Sequence, residues 1–341
     1  MRKGFVFGKF MPFHKGHEAM IRFALSYCDE LSVLICCSNK ETLPAPVRQV
    51  WVEETFRHDP RIKVLVFQYD ESLLPNTSET SALASELWAA QFKFLFPDHS
   101  LVVTSEPYGE LVADYMGITH MAFDMKKAKY PVSASKIRSN LPETWQYLPD
   151  AVKASLVTKV VLLGTESTGK TTLTTRLSEH FNCTGVLEAG RDIITDSNDF
   201  GIKDLYLIAR EHAARIDRAA KGVSPLLVID TNIHITLSYG EFAFNTELSV
   251  DRGIFESNRA DLYLYLNNDA PFVQDGTRLS EEDRNRLDIS HRRILDKYGV
   301  TCEEIRGDWD ERFEQAVVLI EQLMQRKLES WHQFAEKLHY A

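Results

Sequence analysis

Lys159-Val160-Val161-Leu162-Leu163-Gly164-Thr165-Glu166-Ser167-Thr168-Gly169-Lys170-Thr171 joins an apolar strand pattern to a G-x-x-x-x-G-K-[ST] loop, and a helical pattern over 172–180 follows at once. The order matters. Glycines let backbone N–H groups wrap a polyphosphate, the helix N-terminus adds partial positive charge, and Lys170 reaches the outer phosphates. Gly164, Glu166, Ser167, Thr168, Gly169 and Thr172 are the other candidate nucleotide contacts. The Thr171 hydroxyl is expected to ligand Mg²⁺, together with Asp230, the carboxylate that closes the later strand Pro225-Leu226-Leu227-Val228-Ile229. This half of the chain therefore reads as a P-loop NTPase fold that binds ATP.

Outward from that loop, strand-like runs at 4–7, 31–37, 62–67, 101–104, 159–163, 226–229 and 262–266 alternate with longer helical patterns. That rhythm predicts α/β architecture with parallel sheets covered on both faces. A chain of 341 residues exceeds one ordinary core. The turn-rich stretch from Asn140-Leu141-Pro142-Glu143 to Leu148-Pro149-Asp150 puts a boundary near 150–157, giving domains 1–154 and 155–341. Over 310–339, Phe313, Val317, Ile320, Leu323, Leu328 and Trp331 form the stripe of a packing helix.

Composition excludes several classes. The net charge of -10 argues against a nucleic-acid surface, which relies on clustered Lys and Arg. No run of about 18 apolar residues predicts a membrane span, and Pro12 with two histidines interrupts any signal-like start. The five cysteines, Cys28, Cys36, Cys37, Cys183 and Cys302, lack metal-ligand spacing and read as reduced thiols of a cytoplasmic protein. Cys36 and Cys37 end an apolar run and read as core. A homo-oligomer is compatible with this composition.

If the P-loop half phosphorylates a hydroxyl, a second carboxylate should sit near the γ-phosphate to accept its proton. Glu188 and Asp192, flanking Arg191 just after the strand pattern 184–187, are the candidates. Pro271-Phe272-Val273-Gln274-Asp275-Gly276-Thr277-Arg278 reads as a lid, with Arg278 offsetting charge on the transferred group and Asp275 beside the substrate.

The first strand pattern leads into a different motif, Gly8-Lys9-Phe10-Met11-Pro12-Phe13-His14-Lys15-Gly16-His17, before an amphipathic helix over 18–27. As a zinc site it fails, because no third ligand stands at a typical spacing. Near the end of the same half, Val132-Ser133-Ala134-Ser135-Lys136-Ile137-Arg138 sets hydroxyls and cations at a helix start, a ready anion site.

These paired motifs resemble those of the nucleotidylyltransferase superfamily. With Leu43-Pro44, Arg48 and Trp51, then Ser105-Glu106-Pro107, their order resembles the NadR-type bifunctional family of bacterial NAD salvage. The second half is similar to that family's ribosylnicotinamide kinase domain in the 164–171 loop, in Glu188 with Arg191, in Val228-Ile229-Asp230-Thr231 and in Val273-Gln274-Asp275-Gly276-Thr277-Arg278. The resemblance implies a Rossmann-like nucleotidylyltransferase domain that joins nicotinamide mononucleotide (NMN) to the adenylyl group of ATP, giving NAD and pyrophosphate. It also implies a P-loop kinase domain that phosphorylates nicotinamide riboside with ATP and Mg²⁺. By the same resemblance His14, His17, Lys136 and Arg138 bind ATP phosphates, Lys9 lies near the reacting phosphates, and Gly8, Phe10, Arg48, Ser133 and Ser135 complete that site. Many members begin with a helix-turn-helix domain, whereas Lys9 stands almost at the start here, so operator binding is not expected. The tryptophan looked for beside Pro75-Asn76 is missing, and Trp88 follows only after an apparent insertion.

The two halves fit different chemistries. The NMN phosphate is already anionic, so adenylyl transfer needs cations and N–H dipoles rather than a base. A neutral 5′-hydroxyl calls for a carboxylate. The competing readings are a coenzyme A pathway adenylyltransferase-kinase fusion and a non-catalytic NAD and ATP sensor.

Overall fold

Apolar strands and amphipathic helices alternate throughout the computed structural model, which describes residues 1–76, 81–194, 200–269 and 280–336. The chain divides into two compact units, Met1–Ser155 with Leu328–Ala341, and Leu156–Lys327. In the first, the elements run β1 (Lys3–Gly8), α1 (Lys15–Leu25), β2 (Glu30–Ser38), α2 (Ala45–Phe56), β3 (Ile62–Tyr69), α3 (Ala82–Leu95), β4 (Leu101–Thr104), α4 (Tyr108–Met116), β5 (Thr119–Ala122) and α5 (Ala134–Ser139). The strands pair in parallel in the order β3-β2-β1-β4-β5. Strand β2 is buried along almost its whole length because helices cover both faces of an interior parallel strand. The core joins Phe5, Phe7, Trp88, Phe92 and Val102.

The stretch predicted as turns holds short helices instead, α6 (Leu141–Thr144), a 3-10 turn (Trp145–Tyr147) and α7 (Asp150–Leu156). Asn140 caps α6 by accepting from the Glu143 N–H, and Pro142 occupies the first turn, where its missing N–H costs nothing. Residues that look like turn formers are here helix starters.

The second unit runs β6 (Thr158–Leu163), α8 (Lys170–His180), β7 (Thr184–Val186), α9 (Gly190–Ile193), α10 (Ile202–Ala219), β8 (Leu226–Asp230), α11 (Ile233–Phe244), α12 (Arg252–Asn258), β9 (Leu262–Leu266), α13 (Glu281–Lys297), β10 (Glu303–Ile305) and the part of α14 (Trp309–Glu336) up to Lys327. Its parallel sheet has the order β10-β9-β6-β8-β7. Ile320 and Leu323 of the predicted stripe join Val160, Leu162 and Leu264 in the core, with Phe313 and Val317 packed against it. Trp331, grouped with the first unit, donates to the Ile137 carbonyl at 3.4 Å. The fold class is thus two parallel-sheet α/β units. In each sheet the motif-bearing strand is central, β1 or β6, with the order switching direction beside it. Ligands of such sheets bind in that crevice, at the carboxyl ends of the strands.

Candidate sites: two phosphate-binding loops

After β1 the chain crosses Lys9 and the buried Phe10, which holds a φ of 50°, before His14 caps α1. Nδ1 of His14 accepts from the Gly16 N–H at 3.1 Å, and Nδ1 of His17 accepts from the His14 N–H at 3.3 Å. The two rings stack with centroids 3.6 Å apart, and Phe10 and Phe13 pack on His17. Burial first, then the Lys127 charge, lowers the His14 pKa to about 3, and burial and the His14 charge hold His17 well below the usual imidazole range. Both rings are neutral at pH 7. With Nδ1 accepting in each, the proton sits on Nε2, so the pair presents two N–H donors rather than two cations.

The formal positive charge comes from neighbours. Buried Arg48 donates to the carbonyls of Lys9 and Leu43 at 3.0 and 2.9 Å and to Glu41 Oε2 at 2.7 Å. Glu41 also pairs with Lys9 Nζ at 3.2 Å. Arg138 donates to the Met11 carbonyl at 2.5 Å and to Ser135 Oγ at 3.1 Å, which ties the Ser133 to Arg138 helix start to the first loop. Ser133 caps α5 through the Lys136 N–H, and Lys136 Nζ donates to the Pro131 carbonyl at 3.4 Å. Gly8 leads into this loop beside the Phe10 ring. A cavity of about 430 Å³ opens at the carboxyl ends of β2 and β3, lined in part by Asn39, Glu41, Pro44, Arg48 and Asp70. Trp88 is not in that wall. It is buried in the core against Tyr69 and donates to the Pro75 carbonyl at 2.8 Å.

The second loop works through its backbone. Gly164, Ser167 and Gly169 have φ of 136°, 60° and 82°, the left-handed conformations that turn successive N–H groups inward. A side chain at Gly169 would also run into the Trp309 ring. Lys170 Nζ donates to the Thr165 carbonyl at 2.8 Å, as does Thr168 Oγ1, so the ammonium is held over the loop. Thr171 Oγ1 donates to Asp230 Oδ2, and Asp230 is wholly buried with Oδ1 unpartnered among the described residues. Thr172 is exposed on the first turn of α8. Glu166 Oε1 accepts from the Tyr239 hydroxyl at 3.3 Å.

Glu188 and Asp192 have different surroundings. Desolvation raises the Glu188 pKa, helped by Asp230 and Glu166 and opposed by Lys170 and Arg191, the last 4.0 Å away. Asp192 is exposed and pairs with Arg215 at 2.7 Å. Asp275 and Arg278 lie outside the described residues.

Sequence reasoning missed Glu41, Lys127 and Arg312. Buried Arg312 donates to the carbonyls of Thr168, Asn267 and Gly307 and pairs with Asp269. Its distance along the chain from the loop hid it, although an arginine in an otherwise amphipathic C-terminal helix was a visible signal.

Residues 159–312 match the family model described as AAA domain. Trifunctional NAD biosynthesis/regulator protein NadR of Escherichia coli (strain K12) is 29% identical over 348 residues, covering 94% of this chain and 83% of its own. The chain is homologous to NadR. A crystal structure of NadR protein in complex with NR matches with a TM-score of 0.63 at 20% identity, covering 94% of this chain and 96% of that one. Another, in complex with NAD and AMP-PNP, matches with a TM-score of 0.61 at 20% identity and the same coverage. Both NadR structures share the fold found here. Among the described residues no helix is long and apolar enough to cross a membrane.

Proposed function

We propose that the protein is a bifunctional NAD salvage enzyme: its second unit phosphorylates nicotinamide riboside with ATP, and its first adenylylates the resulting NMN with ATP to give NAD and pyrophosphate. The observation that carries this reading is that each unit of a NadR homologue has its own phosphate loop at the switch point of its own sheet. Homology to NadR favours this pair of reactions over a coenzyme A pathway fusion or a non-catalytic sensor.

In the second unit the riboside 5′-hydroxyl attacks the γ-phosphorus of ATP, ADP departs, and Glu188 takes the hydroxyl proton. Its raised pKa makes it the better base, whereas Asp192 is spent on Arg215. The loop N–H groups and Lys170 hold the phosphates. Among the described residues no three His, Cys, Asp or Glu side chains gather as a metal site. Thr171 and the open Oδ1 of Asp230 nonetheless fit a hard divalent cation that keeps waters and phosphates as its other ligands, such as Mg²⁺. Such an ion, when bound, would offset charge on the β- and γ-phosphates. Asp275 and Arg278, assigned from sequence to a lid, belong to the same reading.

In the first unit the NMN phosphate attacks the α-phosphorus of ATP and pyrophosphate leaves. Nε2–H of His14 and of His17 donate to phosphate oxygens, while Lys9, Lys136 and Arg138 offset charge, and Arg48 holds the loop that carries Lys9. No base is required. Incubating the protein with nicotinamide riboside, ATP and Mg²⁺ should yield ADP, NMN, NAD and pyrophosphate on chromatography. Unchanged nucleotide, or turnover of pantetheine 4′-phosphate instead, would overturn the assignment.

A further inference from the structure

Next to the second phosphate loop lies a buried polar group with no role in the proposed phosphoryl transfer. His291, on α13, is 1% exposed. Its Nδ1 lies 2.8 Å from Ser238 Oγ on α11, and Ser238 Oγ donates to Ser290 Oγ at 2.9 Å. Because the Ser238 proton is committed to Ser290, Nδ1 of His291 is the donor to Ser238. Nε2 is then a bare lone pair, with no partner among the described residues. Burial and the Lys170 charge lower the His291 pKa to about 3, so the ring stays neutral.

Its place in the site follows from its neighbours. The ring lies 5.7 Å from that of Tyr239, whose hydroxyl reaches Glu166 inside the phosphate loop. His291 is therefore a neighbour of the loop's Glu166–Tyr239 contact and lies close enough to feel the Lys170 charge. Leaving a buried acceptor unpaired is costly, so a ligand that brings a donor would be favoured there. Donors on the proposed acceptor substrate that must lie near the transferred phosphoryl group are its sugar hydroxyls.

We propose that His291 Nε2 accepts a hydrogen bond from a sugar hydroxyl of the riboside and makes the kinase selective for ribosides over deoxyribosides. The proposal rests on the kinase reading above. His291 does not serve as a base, since a ring this hard to protonate is a poor proton acceptor; it orients the sugar. The Ser290-Ser238-His291 relay fixes the tautomer that can do so.

The test compares nicotinamide riboside with its 2′-deoxy and 3′-deoxy analogues. The wild-type protein should prefer the riboside over one analogue by about ten- to a hundred-fold in kcat/KM, because that analogue leaves the lone pair unpaired. His291→Phe should lower kcat/KM on the riboside and shrink the preference to about two-fold, while His291→Gln, which can place an oxygen where Nε2 stood, should restore part of it. A His291→Phe variant that keeps the full preference against both analogues would overturn the proposal. A second readout is the imidazole ¹⁵N spectrum of wild-type protein, the His291 signals being those lost in His291→Gln. The Nε2 resonance should move when riboside binds with AMP-PNP and stay unmoved with the rejected analogue; no movement with riboside would also overturn it. Absence of any riboside phosphorylation by wild-type protein is a separate outcome, and it removes the kinase reading itself.

Discussion

The two loops stand at equivalent places, each following the central strand of its sheet, yet they prepare for phosphate by opposite means. The second is built from backbone: glycines at 164 and 169 and Ser167 take left-handed angles so that N–H groups face one way. The first is built from side chains, with the stacked neutral rings of His14 and His17 presenting N–H donors amid Lys9, Arg48 and Arg138. A feature common to both is that arginines donate to loop carbonyls, Arg48 to Lys9, Arg138 to Met11 and Arg312 to Thr168.

The largest effects are expected when each loop is disabled alone. Lys170→Ala should lower riboside phosphorylation by about 10²–10³-fold, the usual scale for a lost transition-state contact, and leave adenylyl transfer in place. His17→Ala should do the reverse. Separate assays with riboside and with NMN check this, and loss of both activities in either folded variant would contradict independent sites. A smaller effect is expected from the braces. Arg312→Met leaves Asp269 without its cation and frees the Thr168 carbonyl, so the second unit should lose about 2–3 kcal/mol of stability and most kinase activity. Arg48→Met should leave the buried Glu41 carboxylate with Lys9 as its remaining cation, free the Lys9 and Leu43 carbonyls, and act on the first unit in the same direction. Urea unfolding followed alongside both activities reads the two outcomes. Unaltered activity in both variants would show that the carbonyl braces are ornamental.

What was legible in the sequence follows the same division. Backbone devices leave local marks: the strand run before Gly164, the glycines and the terminal Asp230 all sit in short windows. Interior strands of parallel sheets were readable for the same reason, as unbroken apolar runs. Strands β5, Thr119-His120-Met121-Ala122, and β10, Glu303-Glu304-Ile305, escaped because they are short and rich in polar residues, whereas the edge strand β3 has a longer, mostly apolar run. The helices at 141–156 were hidden by Pro142 and Asn140, residues equally at home in turns and at helix starts. Side-chain devices were half legible. His14 and His17 stood out as a motif, but Glu41 and Arg312 act across long sequence separations and carry no local pattern. The charge state of the histidines was not legible at all, since it depends on burial.

That charge state supports the smallest prediction. His14 is neutral in the folded protein, with a pKa lowered from 6.5 to about 3, and unfolding restores the ordinary value. Above pH 6.5 neither state takes up a proton, and its contribution to stability is complete. Between pH 6.5 and about 3 the unfolded chain binds a proton that the folded chain refuses, so stability falls with acidity by up to about 1.4 kcal/mol per pH unit for each such ring. His291, also near 3, and His234, near 4, give the second unit a slope of the same sign. His14→Asn removes the proton acceptor while keeping a side-chain oxygen that can cap α1. Denaturant unfolding at pH 7, 6 and 5, read through the buried Trp51, Trp88 and Trp145 of the first unit, should show a shallower decline in His14→Asn than in wild type. Identical slopes would mean that His14 is already protonated in the fold, and the first loop would then hold phosphate as a cluster of cations after all.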